Sequence, residues 1–176
     1  PPPPPPLSSP PPPAAAIDAP APATAVDAWA ASAKMAGRWR KEGSRCPDEI
    51  PLFDAMEMSW MFRQAATLLN ELTISSGADG WSVASSASFI SLKETYPRDG
   101  RAASQMRRDL RSGTCEGSLE AVEGGVHLVL SWRGELAGSQ DEVFTLEASG
   151  ETLKRVVTLT LENGNSWRGT YHYVRT

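Results

Sequence analysis

Residues 37 to 74 carry a layout that few folds accommodate. A strand-like opening, Gly37-Arg38-Trp39-Arg40-Lys41-Glu42, runs into an apolar helical stretch from Leu52 to Leu69, and a strand-like Leu72-Thr73-Ile74-Ser75 follows at once. From there to the last residue the chain reads as short alternating strands. One helical insert between the first and second strands of an otherwise all-β chain predicts a barrel with a helical lid. A lidded barrel is a container, which points to holding a small apolar molecule more than to catalysis.

The local signals are consistent with that layout. A first strand is expected over 37 to 45. Pro47 and Pro51 stand where a helix can start, and Asp48 and Glu49 suit the positive end of its dipole. Leu52, Met56, Ser59, Trp60, Phe62, Ala65, Ala66 and Leu69 then recur with a helical rhythm, and Asn70 is a stop. The later segments alternate with period two. Val126, Leu128, Leu130 and Trp132 oppose His127, Val129, Ser131 and Arg133. Phe144 and Leu146 oppose Val143, Thr145 and Glu147. Leu153, Val157, Leu159 and Leu161 oppose Lys154, Thr158, Thr160 and Glu162. Turn signals separate the runs at Gly77-Ala78-Asp79-Gly80, Arg98-Asp99-Gly100, Gly124-Gly125, Ser149-Gly150 and Asn163-Gly164-Asn165. Even spacing with tight turns favours an up-and-down meander, which closes most economically as a barrel. The Arg-rich piece from 102 to 111 fits a strand or a short helix equally.

Composition divides the chain. Residues 1–25 are nearly all Pro, Ala and Ser. Such a tract cannot bury enough apolar surface to offset its ordering entropy and reads as a linker. Residues 26–36 form an Ala-rich lead-in, and 37–176 are the size of one self-supporting domain. The net charge of -4 excludes a general case for nucleic acid. Two cysteines, Cys46 and Cys115, make no disulfide framework, so a reducing, cytoplasmic setting is expected. Because the chain begins at Pro1, a targeting segment upstream and an organelle remain open. No run of about 18 apolar residues exists to span a membrane. His127 and His172 fall on polar faces without Cys, Asp or Glu at ligand spacing, so no metal is expected. No nucleophile elbow, phosphate loop or carboxylate pair stands out, so no catalytic residues and no cofactor are expected.

The Gly37-Arg38-Trp39 opening, the helical Phe62-Arg63-Gln64-Ala65-Ala66, the step into Leu72-Thr73-Ile74-Ser75, the Trp132-Arg133-Gly134 turn and the final Gly169-Thr170-Tyr171-His172-Tyr173-Val174-Arg175 together resemble the fatty-acid-binding protein family of the calycin superfamily. The resemblance spans about residues 36 to 176. It implies a ten-stranded antiparallel barrel with a two-helix lid between strands 1 and 2. It also implies a monomer that carries a fatty acid, retinoid or similar lipid, with transient membrane contact through the lid.

In that family the last strand carries Arg-x-Tyr, which holds the ligand carboxylate. Here the matching positions are Tyr171-His172-Tyr173: the tyrosine is kept and the arginine is not. Arg155 shares the parity of Leu153, Val157 and Leu159 and is expected to point inward. There it would meet a ligand carboxylate, pair with a fixed Glu, or lie along the wall with its head in water. Expected ligand contacts are therefore Arg155, Tyr173 and Tyr171, with Trp60, Met61 and Phe62 on the lid and Leu130 and Phe144 on the wall. Trp39 is expected to plug the closed end. Arg101, Arg107, Arg108 and Arg111 read as a solvated basic cluster, or one meeting anionic head groups at a portal. Two alternatives stand beside lipid carriage. One is a tethered interaction barrel filled by its own side chains. The other is a haem-carrying barrel like the nitrobindins, which share a Gly-x-Trp opening and a C-terminal histidine.

Deleting residues 1–25 is expected to leave the stability of the remaining domain unchanged, with that tract showing no amide protection in the full chain. Slow exchange across Pro10 to Ala25 would overturn the linker assignment.

Overall fold

Period-two alternation makes the wall of the molecule. The computed structural model describes residues 25–87 and 90–176, and the tract read as a linker lies, up to residue 24, outside the described residues. The ten strands are β1 (Gly37–Lys41), β2 (Glu71–Gly77), β3 (Gly80–Ala87), β4 (Ile90–Tyr96), β5 (Ala103–Met106), β6 (Thr114–Val122), β7 (Gly125–Trp132), β8 (Gly138–Leu146), β9 (Thr152–Leu161) and β10 (Ser166–Arg175). Three helices accompany them: α1 (Ala25–Lys34) before the barrel, then α2 (Ile50–Ala55) and α3 (Trp60–Leu68) between β1 and β2. Every neighbouring pair is antiparallel, in the order β4-β3-β2-β1-β10-β9-β8-β7-β6-β5. The first and last strands meet, with Trp39 opposite Arg175 and Lys41 opposite Tyr173.

That order leaves one seam. β4 and β5 end the sheet and share no ladder. Side chains cross between them instead. Gln105 Nε2 donates to the Thr95 carbonyl at 2.9 Å on the outside. Inside, Arg108, just past β5, reaches Glu94 on β4. The barrel is therefore nearly closed, and its seam is fastened by polar contacts.

The inward residues pack as the alternation predicts. Val126, Leu128 and Leu130 on β7, Leu119 on β6, Phe144 on β8 and Leu153 and Leu159 on β9 are all buried. Trp81 meets Phe144 edge-on at 5.2 Å between ring centroids. Gly117 is required where Tyr96 crosses the interior, because a Cβ there would lie 2.3 Å from the Tyr96 ring. Gly80, at φ +142, turns the β2–β3 hairpin where a Cβ would strike the Tyr96 carbonyl at 2.5 Å.

Trp39 is a fully buried plug, as expected, and its Nε1 donates to the Met35 carbonyl at 2.8 Å. The lead-in segment does more than lead in. α1 lies against β2, β6 and β7 at the end of the barrel away from α2 and α3. Ser32 Oγ meets Ser76 Oγ at 3.0 Å. Arg175 covers the Trp39 ring at 4.2 Å and donates to the carbonyl of Lys34, the last residue of α1, and to that of Ala36 just beyond it.

One local expectation needs correction. The first strand stops at Lys41, not at 45, and Gly43–Arg45 form a 3-10 turn; the Lys41 and Glu42 amides still reach the carbonyls of Asn70 and His172, but those of Arg45 and Cys46 turn back to the Glu42 and Gly43 carbonyls. The expected two-helix lid is present, with the apolar stretch from Leu52 to Leu69 divided at Glu57, φ 48. Arg63 joins them, donating to the Met58 carbonyl at 2.7 Å and to Asp54 Oδ1 at 2.6 Å. Residues 102 to 111, left open between strand and helix, become the four-residue β5 and a turn with Leu110 at φ 58.

Truncation through Lys34 would uncover the barrel end beneath α1. It is expected to cost about 2 kcal/mol, or roughly 4–8 °C in Tm, whereas truncation through Thr24 should cost nothing. Equal thermal curves for both truncations would show that α1 does not seal the barrel.

Candidate functional site

The interior under α2 and α3 is charged, and the charges follow from strand parity. Gln140, Glu142 and Phe144 share the inner face of β8. Leu153, Arg155 and Val157 share that of β9, and Leu92, Glu94 and Tyr96 that of β4. The registers place Arg155 directly across from Phe144 on one side and Tyr171 on the other. Its guanidinium accordingly lies 5.4 Å from the Phe144 ring centroid and 5.8 Å from that of Tyr171.

Glu142 is the hub, with 0% exposure. Arg155 donates to it from Nε at 3.1 Å and from Nη2 at 2.5 Å. Arg108 Nη1 and Gln140 Nε2 both reach Glu142 Oε1. Arg108 also clasps Glu94, from Nε at 2.8 Å and Nη2 at 2.5 Å. Two carboxylates and two guanidiniums thus alternate, Glu94–Arg108–Glu142–Arg155, tying β4, the β5–β6 loop, β8 and β9 together.

Burial alone would push the Glu142 carboxyl upward. The charges of Arg108 and Arg155, with their hydrogen bonds, outweigh it and hold the group at about 2. Burial likewise pushes the hydroxyls of Tyr171 and Tyr173 up, with Arg155 opposing it in both. Both tyrosines therefore present neutral hydroxyls.

A cavity of about 190 Å³ lies between this network and the lid. Leu52, Phe53, Met56, Met58, Ala66 and Leu69 cover it; Leu72, Leu92, Val157, Tyr171 and Tyr173 form the apolar wall; Glu94, Arg108, Gln140 and Arg155 form the polar one. Lys41 and Glu49, paired at 2.8 Å, stand at its edge. Two smaller spaces of about 70 and 30 Å³ adjoin it and share Arg108 and Asp109 in their walls. The far half of the barrel is filled by Trp39, Trp81, Tyr96, Phe144 and their aliphatic neighbours.

The expected contacts divide. Arg155, Tyr171 and Tyr173 line the cavity. Phe62 and Leu130 line the two smaller spaces. Phe144 lies beneath Arg155 in the packed half and does not line the cavity. Trp60 and Met61, 76% and 67% exposed, face outward from α3. The inward carboxylates are absent from the sequence reading, although a signal for them exists: Glu142, the partner of Arg155, is two residues before Phe144, and Glu94, the partner of Arg108, is two after Leu92, so period two aims both inward.

The supposed basic cluster is mostly internal. Arg107 is buried, clamping Asp109 at 2.9 and 2.6 Å, and Arg111 bonds Asp109, Glu135 and the Glu57 carbonyl of the lid linker. Arg101, highly exposed and paired with Asp99, stays at the surface. The histidines also have acidic neighbours after all, supplied by adjacent strands. His127 contacts Glu120 at 2.7 Å through Nδ1 and Asp141 at 3.1 Å through Nε2; His172 Nδ1 stands 3.2 Å from Glu147. Because the two nitrogens of His127 face different carboxylates, no common point for an ion results. Among the described residues no group of His, Cys, Asp or Glu is arranged to hold a metal, and no helix is long and apolar enough to cross a membrane.

No protein-family model matches the sequence, and no curated protein matches it significantly. Solved structures do match the fold. The Caenorhabditis elegans lipid binding protein 8, without ligand, is 16% identical with a TM-score of 0.68, covering 81% of this chain and 96% of its own. A Schistosoma mansoni fatty acid binding protein in complex with arachidonic acid is 16% identical with a TM-score of 0.65, covering 83% and 98%. The REP1-NXSQ fatty acid transporter is 15% identical with a TM-score of 0.64, covering 82% and 97%. This chain therefore has the fold of the fatty-acid-binding proteins: ten antiparallel strands in a nearly closed barrel, with helices between the first two.

Because the Glu142 pKa is depressed on folding, its contribution to stability is full above about pH 4.5 and is lost as pH falls toward 2. The difference is of order 3 kcal/mol. Urea unfolding at stepped pH should show wild-type stability falling more steeply over that window than Glu142→Gln stability does. Parallel curves would mean that Glu142 carries no such linkage.

Proposed function

We propose that this protein is a monomeric, non-enzymatic carrier that binds a small hydrophobic or amphipathic molecule in the space beneath α2 and α3. The observation that carries the reading is the two-sided cavity. Its lid and one wall are aliphatic and aromatic, with Met56 and Met58 able to repack around varied shapes. The opposite wall offers a cluster of polar groups that are mutually compensated. Apolar lining with a few converged polar groups is the usual composition of a small-molecule site. The fold shared with lipid-binding proteins agrees with this reading. Arg155, Tyr171 and Tyr173 are the proposed head-group contacts, and Phe62 and Leu130 would meet a chain that extends into the smaller spaces. The exposed Trp60 and Met61 on α3 suit brief contact with a membrane during loading.

One observation favours a second reading. The cavity, about 190 Å³, is smaller than the roughly 300–1,000 Å³ of typical ligand sites. The far half of the barrel is already packed. A barrel filled by its own side chains, serving as a tethered interaction domain, would look like this.

Native mass spectrometry of the purified protein, followed by solvent extraction, separates the two. A carrier should retain a lipid-sized adduct or bind an added fluorescent lipid with 1:1 stoichiometry. A disulfide engineered between α3 and the β4 rim should slow ligand exchange far more than it changes affinity, since the lid is the proposed gate. No adduct and no binding across a panel of lipids would favour the filled barrel.

A further inference from the structure

Resting on the carrier reading above, we infer that the ligand's head group is uncharged, a hydroxyl, carbonyl or amide, and that the site discriminates against a free carboxylate. The charge arrangement of the cavity carries this. Its three lining cations are each engaged: Lys41 by Glu49, Arg108 by Glu94 and Glu142, and Arg155 by Glu142. The lining carboxylates are Glu49, Glu71, Glu94 and Asp109, with Glu142 directly behind. Glu71 pairs outward with Arg38, and Asp109 with Arg107 and Arg111.

A carboxylate brought in beside Arg155 would therefore face a guanidinium whose charge is already balanced, within a few ångströms of Glu142. It would have to displace Glu142, leaving that group buried and unpaired, or sit as an excess buried charge. Either outcome is costly in a desolvated site. A neutral acceptor has no such conflict. The bonds from Arg155 to Glu142 use Nε and Nη2, so the Nη1 hydrogens remain for a further acceptor. The un-ionised hydroxyls of Tyr171 and Tyr173 line the same wall and can serve a neutral donor or acceptor.

The test compares 1-decanol, decanamide and decanoate on wild-type protein at pH 7.4 by calorimetry. Folding of every variant is checked by circular dichroism. The two neutral compounds are expected to bind about tenfold or more tightly than decanoate. In Glu142→Gln, the unbalanced guanidinium charge should raise decanoate affinity by about tenfold while moving 1-decanol little. Should that variant fail to fold, Glu94→Gln removes the other partner of Arg108 with the same expected direction. Decanoate binding as tightly as the neutral compounds to wild-type protein would overturn the inference and leave the carrier reading intact. If none of the three binds, the carrier reading fails and this inference fails with it.

Discussion

A single buried carboxylate organises the upper half of this barrel. Glu142 is fully buried, and it is held as an anion by Arg108 and Arg155, which approach it from two sides. Each guanidinium is in turn tolerable inside the barrel only because Glu142 and Glu94 are there. Removing one member leaves an uncompensated buried charge, which typically costs about 3–5 kcal/mol. The network therefore acts as a unit, and its geometry cannot relax one residue at a time.

The same network offsets a weakness of the topology. Ten strands wound up and down close between β1 and β10 through a ladder, but β4 and β5 meet without one. An unladdered seam is where a barrel should open first. Arg108 lies at that seam, holding Glu94 on β4 and Glu142 on β8. The neighbouring Arg107–Asp109–Arg111 cluster extends the connection to the β7–β8 turn and, through Glu57, to the lid linker. Seam, lid and cavity wall thus share one short segment, residues 107 to 111.

The two ends of the barrel are closed by different means. At the α1 end, large side chains fill the interior, and Arg175 holds the end of the helix through the Lys34 carbonyl and the Ala36 carbonyl that follows. At the lid end, short helices joined by Arg63 cover a space that the side chains do not fill. One end is built by packing, which resists deformation. The other is built by two short helices whose outer apolar residues, Trp60 and Met61, contribute no packing to the core.

The sequence by itself determined most of the strands, though not β5 or the end of β1, together with the position of the helical insert and the inward face of the regular strands. These depend on side-chain periods and turn residues, which act over a few positions. It even aimed Arg155, Glu142 and Glu94 at the interior, since parity alone decides that. What it could not decide was that Arg155 meets Glu142, that Arg108 joins Glu94 across an unladdered seam, or that His127 finds two carboxylates. Those pairings link residues between 7 and 14 positions apart. They are fixed by strand register and barrel closure, properties of the assembled sheet. The apparent basic cluster from 101 to 111 shows why this matters: local composition predicts a solvated surface, while Arg107 and Arg111 turn onto Asp109 of the same segment and closure of the barrel brings Glu94 and Glu142 to Arg108.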